Sequence, residues 1–297
     1  MRAIKRIFVI ASHTFTQLVR MKVFGFLAVF ALILIGAHFF ELPNSHAPDT
    51  VAEEELRMMK SSAMGAMSLF SIIFAVAATG LLLPRDVEDR TLYTILCKPV
   101  PRFDYLAGKY LGVIFTIFVA LLLMDLLFIG ALQIRTAAVV AERMELGTYL
   151  NWTSDELDAE RAEVLAQGAT WNVQLGILAI WLKAIVIAGV ALLISTFSTS
   201  TLFTIIMGFL VYFIGHFSGE AREYWVSQSG EISFLARSMT HLVSVLFPDF
   251  RLYNVIDGAI AGLQISLSVM GQLIGLSVIY ACVYLVLSWF AFAKKEF

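Results

Sequence analysis

Six apolar stretches, each close to the length of a bilayer-spanning helix, divide this chain. They cover residues 23–40, 64–83, 111–134, 173–195, 202–217 and 269–292. A transmembrane helix needs about 20 consecutive apolar residues, and only the fifth stretch is clearly short of that length. Hydrophobic residues make up 59% of the chain and charged residues 15%, a balance that excludes an ordinary soluble domain. The pattern predicts an all-α, polytopic membrane protein with six transmembrane helices in a single domain, 1–297.

The distribution of charge predicts which side of the membrane each connection faces. Six crossings place both termini on one side, and the segments on that side, 1–22, 84–109 and 294–297, hold 12 of the 21 basic residues. The opposite connections hold eight basic and 17 acidic residues. Because cytoplasmic loops carry an excess of basic residues, we expect cytoplasmic termini and extracytoplasmic loops at 135–172 and 218–268.

The first 22 residues are expected to form an interfacial helix. Apolar residues recur there at helical spacing, among them Ile4, Phe8 and Phe15, and basic residues lie between them. Such a helix lies in the plane of the membrane surface.

Both long extracytoplasmic loops are predicted to be partly helical. Thr153 and Glu156 have the spacing of a capping box, which predicts a helix in the 135–172 loop. In 218–268, apolar residues at helical spacing precede the turn Phe247-Pro248, so we expect helices that dip into or lie on the outer leaflet.

A charged segment, 84–109, separates the second and third apolar stretches and reads PRDVEDRTLYTILCKPVPRFDYLAGK. Pro84 is suited to the start of a helix, whereas Pro99 cannot continue one. Acidic residues lie near the expected N-terminus and Lys98 near the C-terminus, where each charge is favourable. The segment therefore predicts a short amphipathic helix from Asp86 to Lys98, followed by a stiff turn at 99–101.

The order of residues in this segment resembles a loop in a known family. An acidic pair, Arg90-Thr91, Lys98-Pro99-Val100, Arg102, Tyr105 and Gly108-Lys109 follow one another as in permease subunits of type 2 ATP-binding-cassette (ABC) exporters. Six spans after a basic N-terminal helix are also similar to that family, although Pro101 replaces its usual small polar residue. The resemblance implies that the segment is the coupling helix that docks on an ATPase. The implied contact residues are Asp86, Glu88, Asp89, Arg90, Leu92, Ile95, Leu96, Lys98, Pro99 and Arg102.

The same resemblance implies the partners. A separate cytoplasmic ABC ATPase would bind ATP and Mg²⁺, and a second permease copy or a paralogue would complete the export pathway. The implied location is a prokaryotic inner membrane, with surrounding lipid, periplasmic accessory proteins as further partners, and no nucleic acid.

Two charged residues fall inside apolar stretches, and such residues are functional candidates by default. By helical rise, Asp125 lies about two-thirds of the way outward along the third stretch and Lys183 about halfway along the fourth. The matched depth predicts that they contact each other. The residues leave open a structural ion pair, a wet seam between helices, and a role in substrate binding or proton transfer.

The chain contains no motif for chemistry of its own. Gly108-Lys109 lacks the other residues of a nucleotide-binding loop, and no histidine or cysteine cluster has metal-ligand spacing. We therefore expect a non-enzymatic subunit without a cofactor. Two alternatives are an ion-gradient-driven transporter or channel that uses Asp125 and Lys183, and a mechanotransmission anchor that transports nothing.

Overall fold

The computed structural model describes residues 2–22, 24, 25, 28, 29, 33, 36, 51–88, 100–198, 200–227 and 247–293. The helices in these ranges are α1 (Arg2–Val19), α2 (Val51–Glu88), α3 (Arg102–Tyr149), α4 (Ser154–Ala166), α5 (Trp171–Phe197), α6 (Thr201–Ser227), α7 (Ile256–Ile260) and α8 (Leu267–Ala293). A 3-10 turn at Phe250–Tyr253 precedes α7. The described ranges contain no strand, so the all-α prediction is confirmed for them.

Within the described ranges, four helical segments are long and apolar enough to cross a membrane, namely Glu54–Pro84, Arg102–Tyr149, Ser154–Phe197 and Leu267–Ala293. A fifth apolar helix, Thr201–Phe217, is shorter. The chain is therefore a helical, multi-pass membrane protein. The predicted first span, 23–40, lies largely outside the described residues.

Helix α5 lies at the centre of the described bundle, where it contacts α2, α3, α6 and α8. Its buried residues run from Val173 to Thr196 and lie on all sides of the helix. A helix that is apolar all round must be covered on every side by protein or lipid, and here the neighbouring helices supply the cover. Helix α8 instead leaves Val278, Ile279 and Phe290 exposed, as contact with lipid requires.

The long helices extend beyond their apolar stretches. Helix α3 has 48 residues and begins at Arg102, nine residues before the predicted span at 111–134. At one end of the bundle α2 and α5 end, and α3 and α6 begin. We call this the basal end and the opposite end the distal end. At the distal end α3 continues to Tyr149, so 135–149 belongs to this helix and not to a separate loop.

The prediction that a new helix opens at Pro84 is wrong. Pro84 lies inside α2, which continues to Glu88. A proline inside a helix loses one hydrogen bond and crowds the carbonyl four residues earlier, which belongs to Gly80. The Cβ-less Gly80 also packs closely on Ile205, so tertiary contacts with α6 hold the segment helical in spite of the proline.

Residues 247–262, which we call the inserted segment, enter the bundle from the distal end. Phe250, Tyr253 and Ala259 are fully buried, and the Tyr253 hydroxyl lies 2.8 Å from the Ser277 Oγ. Ser277 is about 15 Å along α8 from its distal start. The helices expected to dip into or lie on the outer leaflet were placed before Phe247, in 228–246, which lies outside the described ranges, so that expectation stays a prediction.

Candidate functional site

A buried ionic cluster joins the two ends of the charged segment at the basal end. The Asp86 carboxylate of α2 accepts hydrogen bonds from the Lys109 ammonium of α3, at 2.8 Å, and from the Tyr105 hydroxyl. Tyr105 and Lys109 are four residues apart, so they share one face of α3. All three residues are at least 93% buried. The cluster therefore fixes the end of α2 against the start of α3.

The second contact of Lys109 extends the cluster to the N-terminal helix. Its Nζ donates to Gln17 Oε1 at 3.4 Å and lies 5.8 Å from the centre of the Tyr105 ring. A buried ion pair is stable only when further hydrogen bonds compensate for the water that both groups have lost. Tyr105 and Gln17 supply this compensation.

Helix α1 packs directly along the basal part of α3. The Arg6 guanidinium donates to Asp104 at 2.7 Å. A Cβ atom on Gly108 would lie 2.7 Å from Ile10 Cβ, and one on Gly112 would lie 2.6 Å from Thr14 Cβ. Each step of four residues on α1 matches four on α3, so the helices run parallel. The two glycines allow the close approach that such small-residue pairs give between membrane helices.

The cluster also includes the end of the last helix. Arg102 donates to the carbonyl oxygens of Phe292 and Ala293 at 3.0 and 2.7 Å. These carbonyls lie at the C-terminus of α8, where intrahelical donors are missing and a positive charge is favourable. The Tyr105 ring stacks on Phe292 at 6.1 Å. Four helices, α1, α2, α3 and α8, therefore meet at this cluster.

The structure places part of the predicted coupling segment. Asp86 and Arg102 are in the cluster, and Glu88 is the last residue of α2. The other predicted contact residues, Asp89, Arg90, Leu92, Ile95, Leu96, Lys98 and Pro99, lie outside the described residues. The described residues that flank segment 89–99 therefore lie in or next to the ionic cluster.

The predicted contact between Asp125 and Lys183 is absent from the structure. The half-buried Asp125 accepts a hydrogen bond from Gln174 at 3.1 Å, and the Lys183 Nζ lies 5.4 Å from the centre of the Tyr212 ring.

The register of α3 and α5 explains why the matched depth was wrong. Tyr110 donates to the carbonyl of Ile185, and Trp181 donates to that of Ile114. Lys183 is therefore level with residues 110–114 of α3, whereas Asp125 is at least about 16 Å farther along. The two apolar stretches do not align end to end, since the start of the α3 stretch at 111 is level with the middle of the α5 stretch and not with its end at 195.

Sequence reasoning quoted Tyr105 and Lys109 only as parts of a motif, and it missed their role in burying Asp86. The spacing of four residues between Tyr105 and Lys109 was an available signal, because it places both side chains on one face of a helix that begins at Arg102. Arg6 and Gln17 carried no such signal, because their partners are about 90 residues away or more.

The described residues contain no group of acidic, histidine and cysteine side chains that could hold a metal ion. Comparison of the sequence with protein-family models and with curated proteins gives no match.

Proposed function

We propose that this chain is the membrane-spanning permease subunit of an ABC exporter and that segment 84–109 receives movement from a separate cytoplasmic ATPase. The observation that supports the proposal is the buried ion pair between Asp86 and Lys109. Because it joins the two helices that flank segment 89–99, a force on that segment acts on α2 and α3 together.

Two further contacts extend the effect of such a force. Arg6 and Asp104 connect α1 to the start of α3, and Arg102 connects the end of α8. In the proposed mechanism these contacts make the basal ends of four helices move as one body when the ATPase closes. The chain itself transfers no chemical group. The ion-gradient alternative relied on contact between Asp125 and Lys183, and each has another neighbour.

Co-purification with the ATPase tests the docking part of the proposal. Leu92→Asp and Leu96→Asp place a carboxylate on the expected docking face, and Leu92→Met is the matched control. We expect both Asp variants to lose the ATPase while the permease stays in the membrane, because burying an unpaired carboxylate costs several kcal/mol. Wild-type recovery of the ATPase with either Asp variant would reject docking through this face.

Tyr105→Phe tests the coupling part, because it removes only the hydroxyl that donates to Asp86. The ATPase should still bind, since Tyr105 is fully buried and offers no surface for docking. We expect ATP hydrolysis stimulated by the permease to fall several-fold. Unchanged stimulation in Tyr105→Phe would mean that the cluster does not transmit the movement.

A further inference from the structure

Lys183 differs from the other buried cations in its lack of a partner. Four basic side chains are buried among the described residues: Lys60, Lys109, Arg143 and Lys183. The first three donate to or pair with Gln167, Asp86 and Glu160 respectively. For the Lys183 Nζ, no acceptor or ion-pair partner occurs within the described ranges, although the residue is only 4% exposed.

Among the described residues, the Lys183 ammonium has an aromatic neighbour. Its Nζ lies 5.4 Å from the centre of the Tyr212 ring on α6, so the ring face stabilises the charge from one side. An ammonium has three N–H donors, and the ring leaves donors available for a hydrogen-bond acceptor. Burying a cation inside a membrane bundle is costly, which favours an acceptor that arrives with a ligand.

The surroundings of Lys183 include a second aromatic side chain. The inserted segment packs here, and the centre of the Phe250 ring lies 5.6 Å from that of Tyr212. Aromatic rings beside an ammonium fit a ligand that combines an acidic group with an apolar chain.

We propose that Lys183 binds the single acidic group, a phosphate or a carboxylate, of an amphiphilic ligand inside the helix bundle, with Tyr212 against the ammonium. The ligand would be the exported molecule, and to that extent this inference rests on the proposed function. It assigns a substrate class to the pathway: anionic amphiphiles with a small head group.

Binding to the purified permease without any ATPase tests the proposal. The probe is dodecyl phosphate in dodecyl maltoside micelles, with dodecyl phosphocholine as the zwitterionic amphiphile without net charge and inorganic phosphate as the free anion. The readout is the rise of the thermal unfolding midpoint with probe concentration, because a ligand stabilises the state to which it binds.

We expect a saturable rise with dodecyl phosphate and none with the other two compounds. Equal shifts from dodecyl phosphate and dodecyl phosphocholine would overturn the proposal, and so would the same shift from inorganic phosphate alone. This comparison needs no variant, so it stays decisive even where a substitution disturbs folding.

Two variants then assign the site. Lys183→Met should weaken dodecyl phosphate binding about tenfold or more, whereas Lys183→Arg should retain it. Wild-type affinity in Lys183→Met would contradict the assignment.

Each of the two proposals can be rejected without the other. This assay contains no ATPase, so a negative result leaves the docking and coupling experiments untouched. Conversely, loss of the docking proposal leaves an anion-selective binding site on Lys183 measurable in the isolated chain.

Discussion

The two ends of α3 are held by ionic contacts of different kinds. At the basal end the side chains of Asp86 and Lys109 are 10% and 4% exposed. At the distal end Arg135 pairs with Glu55 at 2.5 Å, with side chains 23% and 32% exposed. Water screens the distal pair and can replace either partner, whereas it cannot reach the basal pair easily. The two pairs have similar contact distances, but loss of the buried basal pair should cost more free energy of unfolding than loss of the distal pair.

The largest effect is expected from Asp86→Ala, which leaves the Lys109 charge buried without its carboxylate. Removal of one partner of a buried pair costs about 3–5 kcal/mol, so the thermal unfolding midpoint in detergent should fall strongly. The double variant Asp86→Asn with Lys109→Met should be less destabilised, since no charge then remains buried. If the unfolding midpoint of Asp86→Ala fell no further than that of Glu55→Gln, the proposed difference between the two ends would be wrong.

A smaller effect is expected where α1 meets α3. In Gly112→Ala the added Cβ would lie 2.6 Å from Thr14 Cβ, and overpacking of this kind costs about 1–3 kcal/mol. Gly130→Ala is the matched control on the same helix, because nothing lies within 4 Å of its added Cβ. We expect faster proteolysis within α1 for Gly112→Ala alone, and equal proteolysis of both variants would contradict the close packing.

Next in size is the cap of α4 at the distal end. The backbone N–H and the hydroxyl of Thr153 donate to Glu156, and they hold the pKa of the exposed Glu156 below its ordinary value. Because the folded pKa is lowered, this stabilisation is present above the ordinary pKa of a glutamate and is lost as pH falls through the lowered value.

Thr153→Ala should therefore cost about 1 kcal/mol at neutral pH, and less at acidic pH. Thr148→Ala, at a nearby exposed hydroxyl that donates to Met144, is the control without a cap. Protease cleavage of the 150–170 region, followed at both pH values, measures the difference. A pH-independent effect of Thr153→Ala would exclude the contribution from Glu156.

The smallest effect is expected from Glu55→Gln. A partly exposed pair contributes about 0–1 kcal/mol, and salt screens it. When salt is raised tenfold, the fall in unfolding midpoint caused by Glu55→Gln should become smaller. The fall caused by Asp86→Ala should persist. A salt-independent loss in Glu55→Gln would show that the distal pair behaves as a buried one.

The sequence predicted the helical class and the apolar parts of the helices because these depend on local composition. The capping box at Thr153 was confirmed for the same reason, since its two partners are three residues apart. The bounds of α3 were not predictable from hydropathy, which detects the part of a helix suited to lipid. Its polar turns at 102–110 and 135–149 keep the same backbone hydrogen bonds outside the apolar stretch.

The candidate site was less predictable than the fold. Asp86 and Arg102 were named as contact residues from a family resemblance, but their partners are on helices distant in sequence. The pairing of Asp125 with Lys183 failed because depth was measured from the ends of apolar stretches. The actual register depends on side-chain hydrogen bonds from Tyr110 and Trp181, which a single sequence does not specify.

The uninterrupted length of α3 has a mechanical consequence. Its 48 residues correspond to about 72 Å at the rise of an α-helix. Pivoting as a rigid rod at its contact with the central helix α5, at residues 110–114, the helix would have a basal arm of about 15 Å and a distal arm of about 55 Å. A displacement of 1 Å at Arg102 would then become a displacement of nearly 4 Å at Tyr149, by the ratio of those arms. Helix α3 would be a lever that amplifies small basal movements on the far side of the membrane.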